Sequence, residues 1–146
     1  MASQTFTHTA TFTGPVERAW QALQDASTWG SIGGVDQVHD AHHGPDGALL
    51  SYAFAATVAG RRYPGSARVV GSRPPDQMVV DIDTSELAGS ITVRLHPTAH
   101  SGAITVELAV RSKSLLSGMM FPLIAGAIGT GLGANVEAFA SRLSSD

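Results

Sequence analysis

The chain contains no cysteine. That excludes a disulfide framework, a thiol nucleophile and any Cys-based metal site. Charge is also sparse: 14% of residues are Asp, Glu, Lys or Arg, and the formal net charge is −3. A nucleic-acid partner calls for a basic surface, so this balance argues against one. The opening run MASQTFTHTATF has neither a basic n-region nor an apolar h-region, so no secretory signal is expected. Repeats, long linkers and low-complexity tracts are missing as well. What is present is 146 residues with 43% hydrophobic content. That is enough for one buried core, and a single domain over residues 1–146 is expected. A reducing, cytoplasmic setting fits, with at most a peripheral place at a membrane.

The most informative absence is local. No charged residue stands between Lys113 and Glu137. The end of this stretch is an ordinary amphipathic helix. Leu132, Val136, Phe139, Ala140 and Leu143 recur at helical spacing, with Asn135, Glu137, Ser141 and Arg142 on the other face. Its beginning is apolar nearly all round and carries Gly126, Gly129, Gly131 and Gly133. Each glycine costs about 1 kcal/mol against alanine inside a helix. Such a helix needs a surface that grips it, and the glycines point to one that approaches its backbone closely. Leu115 to Ala134 is long enough to span a bilayer, and Gly129 and Gly133 have a helix-packing spacing. Pro122 and the interspersed glycines, serines and threonine argue for a buried helix instead.

The rest of the chain reads as strands and turns. Thr5, Thr7, Thr9 and Thr11 alternate with Phe6, His8, Ala10 and Phe12, the pattern of a half-buried strand. Gly14-Pro15 opens a helix with Pro15 at its first position. Ser27 is a candidate N-cap for a short second helix over 28–32, closed by Gly33-Gly34. Six strands follow, over 36–43, 48–58, 61–72, 77–84, 90–96 and 103–112, separated by turn-forming stretches such as Pro45-Asp46-Gly47 and Ala59-Gly60. Alternation puts Tyr52, Phe54, Val58, Tyr63, Ala67, Val69, Met78, Val80 and Ile82 on the inner face. Ile91, Val93, Leu95, Ile104, Val106, Leu108 and Val110 continue that face on the later strands. An antiparallel sheet with one wet face needs a cover on the other. Only the C-terminal helix, roughly 40 Å long at 1.5 Å per residue, is large enough.

This order, from Thr11-Phe12-Thr13-Gly14-Pro15 through Trp20 to Leu143, resembles the START-like, or helix-grip, superfamily. That superfamily includes Bet v 1-like proteins, lipid-transfer START domains and polyketide cyclases. Ser31-Ile32-Gly33-Gly34-Val35, the Asp46-Gly47 hairpin and Val58-Ala59-Gly60-Arg61 are most similar to the branch that contains a carbon monoxide dehydrogenase subunit. The resemblance implies an α+β helix-grip fold. Seven curved antiparallel strands would surround the long C-terminal helix, with two short helices between strands 1 and 2. It also implies a pocket between sheet and helix.

The inner face mixes aromatic and small residues, which leaves either a packed core or an apolar cavity with a few polar anchors. For the cavity the expected lining is Trp29, Tyr52, Phe54, Tyr63, Met78, Val80, Val93, Val106 and Leu108. The helix would add Met119, Met120, Leu123 and Ala127, and Met119, Met120, Phe121 and the helix around Trp29 would form the mouth. The expected function is binding or carriage of a small hydrophobic molecule such as a lipid, quinone or polyketide-like compound. The rival is a polyketide cyclase or dehydratase type of enzyme. Its acid–base candidates are His8, Tyr52 and Tyr63, although His8 also suits a core histidine bonded to backbone. A third reading is docking on a protein or membrane through the start of the C-terminal helix, by a monomer or a dimer.

Other groupings carry less. His39, His42 and His43 do not converge: on a regular strand His42 and His43 face opposite ways, and His39 and His43 stand about 13 Å apart. No metal and no cofactor is expected. Arg61, Arg62, Arg68 and Arg73 crowd one hairpin, either as a solvated surface or as a contact for an anionic group, with Asp81, Asp83 and Glu86 nearby to pair with them. Gly129-Thr130-Gly131-Leu132-Gly133 echoes a dinucleotide-binding motif but does not sit between a strand and a helix, so that function is rejected.

Overall fold

The computed structural model describes the backbone of residues 3–58, 60–113 and 115–145, and all their side chains except those of 58, 115–125, 127 and 128. Its elements are β1 (Ser3–Thr13), α1 (Val16–Ala22), α2 (Ala26–Gly33), β2 (Gln37–His43), β3 (Leu49–Val58), β4 (Arg61–Arg73), β5 (Gln77–Thr84), β6 (Leu87–Pro97), β7 (Ser101–Ser112) and α3 (Leu115–Ser145). The strands form one antiparallel sheet in the order β1-β7-β6-β5-β4-β3-β2. This is the α+β helix-grip architecture: a meander whose first strand closes against the last, with α3 laid across the inner face.

The period-2 pattern of β1 holds. Its threonines are exposed while Ala10 and Phe12 are buried and Phe6 and His8 half-buried. On the wet face the Thr9 and Thr105 hydroxyls bond across the strands at 2.9 Å. Three local expectations are corrected. Pro15 lies before α1 rather than in its first position. Its ψ of 150° is extended, and its carbonyl accepts the Arg18 N–H at 3.2 Å. The N-cap of α2 is Asp25, not Ser27. The Asp25 carboxylate accepts from both the backbone N–H and the hydroxyl of Ser27, at 2.9 and 2.8 Å. Finally, Leu87, Ala88 and Gly89 belong to β6 and not to a loop, pairing with Ser112, Arg111 and Val110. Gly89 is there because a Cβ would run into the backbone of Ala109, so the glycine marks a close approach within a strand rather than a turn. Pro97, Ser101 and Gly102 likewise extend β6 and β7.

The core divides along the sheet. One part holds Met78, Val80, Val93, Ile104 and Val106, in one core with Leu23 and Ile32, each at most 1% exposed, with α1 lying over β6 and β7. At the far end of α3, Leu132, Val136, Phe139, Ala140 and Leu143 are buried, as their spacing predicts. That end is pinned from both sides. The Arg18 guanidinium donates to the Leu143 carbonyl at 3.1 Å, and the Thr13 N–H donates to the Ser144 hydroxyl at 2.9 Å. Among the described residues, no helix is long and apolar enough to cross a membrane.

Candidate functional site

The two packed regions do not meet everywhere. Between them, bounded by β3 to β7, the end of α2 and the middle of α3, lies a cavity of about 400 Å³. Its existence follows from side-chain size. On β3 the inner face carries Ala56 beside the aromatic rings, and on α3 the facing position is Gly131; Gly65 on β4 leaves no space, because the Phe54 ring fills the place of its side chain. Small residues on both surfaces leave volume that nothing fills.

Of the residues expected to line a cavity, Trp29, Tyr52, Phe54, Tyr63 and Leu108 do so. Met78, Val80, Val93 and Val106 do not. They share the inner face but sit in the filled part of the core, over which α1 lies on β6 and β7; the Gln24 amide even reaches Met78 Sδ at 3.9 Å. Sequence periodicity fixes the face of a strand but not the position along it at which the cover lifts. Met119, Met120, Phe121, Leu123, Ala127 and Val58 lie outside the described side chains, and with them the expected docking patch and half of the expected mouth. Trp29 is part of the floor rather than of the mouth. It is 1% exposed, and its indole N–H donates to the Leu23 carbonyl at 2.8 Å. The rim on this side is formed by the exposed residues Gly34 and Thr57, beside Val35. Gly34 ends α2 in the left-handed region, at φ 71°.

Further lining residues were not among those expected. Ile82, Leu87, Ala88, Ile91 and Val110 extend the apolar wall, and Thr84 and Asn135 add polar atoms. Asn135 is a correction. The helical pattern put it on the wet face, yet it is half-buried, and its amide donates to the Ile32 carbonyl at 3.3 Å. The signal was available in the spacing, since Asn135 follows Gly131 by one turn.

The polar atoms of the wall differ in what they already do. The Thr84 hydroxyl is engaged in the β5–β6 turn, accepting from Leu87 N at 2.9 Å and donating to Leu87 O at 3.1 Å. Thr57 donates to Asp36. Tyr52 and Tyr63 are different. Both are about 95% buried. Neither hydroxyl has a hydrogen-bond partner among the described residues, and yet no sealed-off polar atom is left unpaired there. Both hydroxyls therefore remain accessible and free to bond; both tyrosines line the cavity, and Tyr52 borders the second hollow as well. Burial pushes the Tyr52 phenol well above its ordinary pKa, so it remains a neutral hydroxyl. The Tyr52 and Phe54 rings stand tilted at 55°, 6.3 Å between centroids. Arg61 covers the Tyr63 ring at 5.7 Å and pairs with Glu86 at 3.2 Å.

The remaining candidates lie elsewhere. His8 does not line the cavity. Its ring sits over Gly133, and Nε2 bonds the Glu137 carboxylate at 2.8 Å rather than a backbone carbonyl. Gly133 leaves room for the ring, and the next turn supplies the acid. The histidines of β2 lie on an irregular strand: the register shifts on both sides of His42, so strict alternation fails there. His43 bonds the Gln24 carbonyl at 2.8 Å, while His42 faces a second, polar hollow on the outside of the sheet with Arg68, Asp81 and Asp83. The arginines of the hairpin pair only in part with the acids named for them. Glu86 takes Arg61, but Asp83 takes Lys113 at 2.9 Å, and Arg62 donates to Gln37 at 3.4 Å.

No protein-family model matches the chain, and no curated protein matches its sequence. Solved structures do match in shape. A START superfamily protein from Mycobacterium smegmatis is 15% identical with a TM-score of 0.73, over 95% of this chain and 98% of that one. The Zhui aromatase/cyclase from Streptomyces sp. R1128 is 14% identical with a TM-score of 0.73, over 97% and 95%. The di-domain aromatase/cyclase BexL is 14% identical with a TM-score of 0.71, over 99% of this chain and 50% of its own. At such identities the likeness is one of fold, and it spans the whole chain from β1 to α3. The chain therefore has the START-like helix-grip fold, the one built in START-superfamily proteins and polyketide aromatase/cyclases.

Proposed function

We propose that this protein binds and sequesters a small, mostly apolar molecule in the cavity between β3–β7 and α3. One observation carries the reading: some 400 Å³ of space remains between sheet and helix, lined by two buried tyrosines whose hydroxyls have no partner among the described residues. A void of that size costs stability through lost contacts, and a cargo restores them. Burial of apolar ligand surface contributes roughly 25 cal/mol per Å², and the hydroxyls fix orientation. The like fold of START-superfamily proteins and aromatase/cyclases supports a site between sheet and helix.

Those same relatives favour a second reading, a cyclase-type enzyme. Its machinery here is thin. Among the described residues no His, Asp, Glu, Lys or Arg lines the cavity, which leaves Tyr52 and Tyr63 as the only titratable groups. A proton-transferring catalyst works best with a pKa near the ambient pH, and Tyr52 is moved away from it.

Native mass spectrometry of the purified protein, followed by solvent extraction, tests the binding reading. A co-purifying apolar compound is expected. A clean apo mass with no uptake from a panel of hydrophobic probes would overturn it. Tyr63→Phe separates the two readings once a ligand is in hand: a carrier keeps most of its affinity, whereas an enzyme loses turnover.

A further inference from the structure

The wall of the cavity carries no formal charge. Among the described lining residues there is no acid, base or histidine. The start of α3, whose side chains are not described, cannot supply one either, because no charged residue and no histidine occurs from 114 to 136. Tyr52 is held toward its neutral form by burial. The charges near the rim are engaged with other protein groups, and none of them lines the cavity. Arg61, beside Tyr63, is paired with Glu86, and Asp36 stands behind Thr57. Arg62, the next cation along β4, is turned to Gln37.

From these observations we infer that the cargo is a neutral molecule, and that the cavity discriminates against both carboxylates and amines of the same shape. The inference rests on the binding reading above and narrows it. An ion placed in this wall would lose its hydration with no counter-charge to meet it, and binding should weaken by ten-fold or more. Free fatty acids and phosphorylated lipids are thereby excluded as buried cargo. Uncharged hydroxyl, carbonyl, ether or quinone compounds are admitted. The polar anchors add a further demand. Tyr52 pairs with Ala67, and Tyr63 precedes Ala67 by four residues on β4, so the two tyrosines are rooted about 13 Å apart along the strands. Asn135, with its amide nitrogen committed to Ile32, leaves a carbonyl oxygen as acceptor. A molecule with hydrogen-bonding groups at separated positions suits this set better than one with a single polar head.

The test uses one ring system with neutral, anionic and cationic substituents. Methyl 1-pyrenecarboxylate, 1-pyrenemethanol, 1-pyrenecarboxylate and 1-pyrenemethylammonium are titrated into the full chain at pH 7.5 and followed by pyrene fluorescence. Ala56→Leu, which narrows the cavity, serves to identify the site. The ester and the alcohol are expected to bind at least ten-fold more tightly than either ion, with that binding weakened in Ala56→Leu. An ion bound within ten-fold of the neutral probes, in a manner weakened by Ala56→Leu, would overturn the inference and leave the binding reading standing. Failure of all four probes to bind would overturn the binding reading itself.

Discussion

The ring of Phe6 occupies the space in which a side chain at Gly129 would have to stand: a Cβ built on that glycine overlaps the ring edge. One turn later the His8 ring lies close over Gly133, where a Cβ would come within 3.1 Å of Nδ1. The first strand and the last helix are thus fitted together ring to backbone, and the glycines that weaken α3 as an isolated helix are what allow it to be held.

Gly129→Ala and Phe6→Ala should therefore be strongly coupled. Alone, Gly129→Ala forces the ring aside and is expected to destabilise by about 1–3 kcal/mol. In the Phe6→Ala background the clash is gone and alanine's helix propensity remains, so the same change should stabilise by about 1 kcal/mol. Urea denaturation of the four proteins in the cycle measures the change of sign.

Cavity and core should separate under mutation. Ala56→Leu adds a side chain to empty space and should leave stability unchanged or raise it by up to about 1 kcal/mol, while weakening ligand uptake. Val93→Ala, at a fully buried position outside the cavity, should cost roughly 2 kcal/mol and leave affinity nearly intact. Thermal melts and probe titrations on both variants check the contrast.

Alkaline pH should unfold the protein through Tyr52. The folded chain raises the phenol's pKa by burial, whereas in the unfolded chain it ionises near 10. Below about pH 10 both states hold the proton and stability does not depend on this group. Above that value the unfolded chain releases it first, so stability falls as pH rises. In Tyr52→Phe this loss should be absent. Denaturant curves between about pH 8 and 11, with phenolate absorbance near 295 nm, provide the measurement.

Arg18 should matter more than its exposure suggests. Its guanidinium caps the carbonyl end of α3 at Leu143, where a positive charge is favoured by the helix dipole. Arg18→Ala should cost about 1 kcal/mol, and Arg18→Lys should recover part of it. Hydrogen exchange of the last turn of α3 should accelerate in proportion.

Much of this fold was legible because alternation and helical spacing are imposed by burial. The threonine face of β1, the inner faces of β5 to β7 and the stripe from Leu132 to Leu143 all stand where their periods put them. The errors share a cause as well. Leu87-Ala88-Gly89 reads as a loop because glycine breaks strands in general, and only the nearby Ala109 backbone reveals that this one is packed. The site was half legible. Trp29, Tyr52, Phe54, Tyr63 and Leu108 were recognisable as large residues on the inner face. Met78, Val80, Val93 and Val106 looked identical to them, because which end of a strand lies under α1 is a property of the assembled layers. Asn135 was missed since a polar residue on a helix is ordinarily solvated.

The irregular histidine-bearing strand has one more consequence. A seven-stranded sheet that does not close into a barrel has two free margins, β1 and β2. β2 is interrupted at Asp40, which takes a left-handed φ of 54°, and its pairing slips on either side of His42. A second chain offering a straight strand to this margin finds no continuous row of N–H and C=O groups to join. The break that upsets the strand's alternation thus also protects the protein from sheet-to-sheet aggregation at its open side.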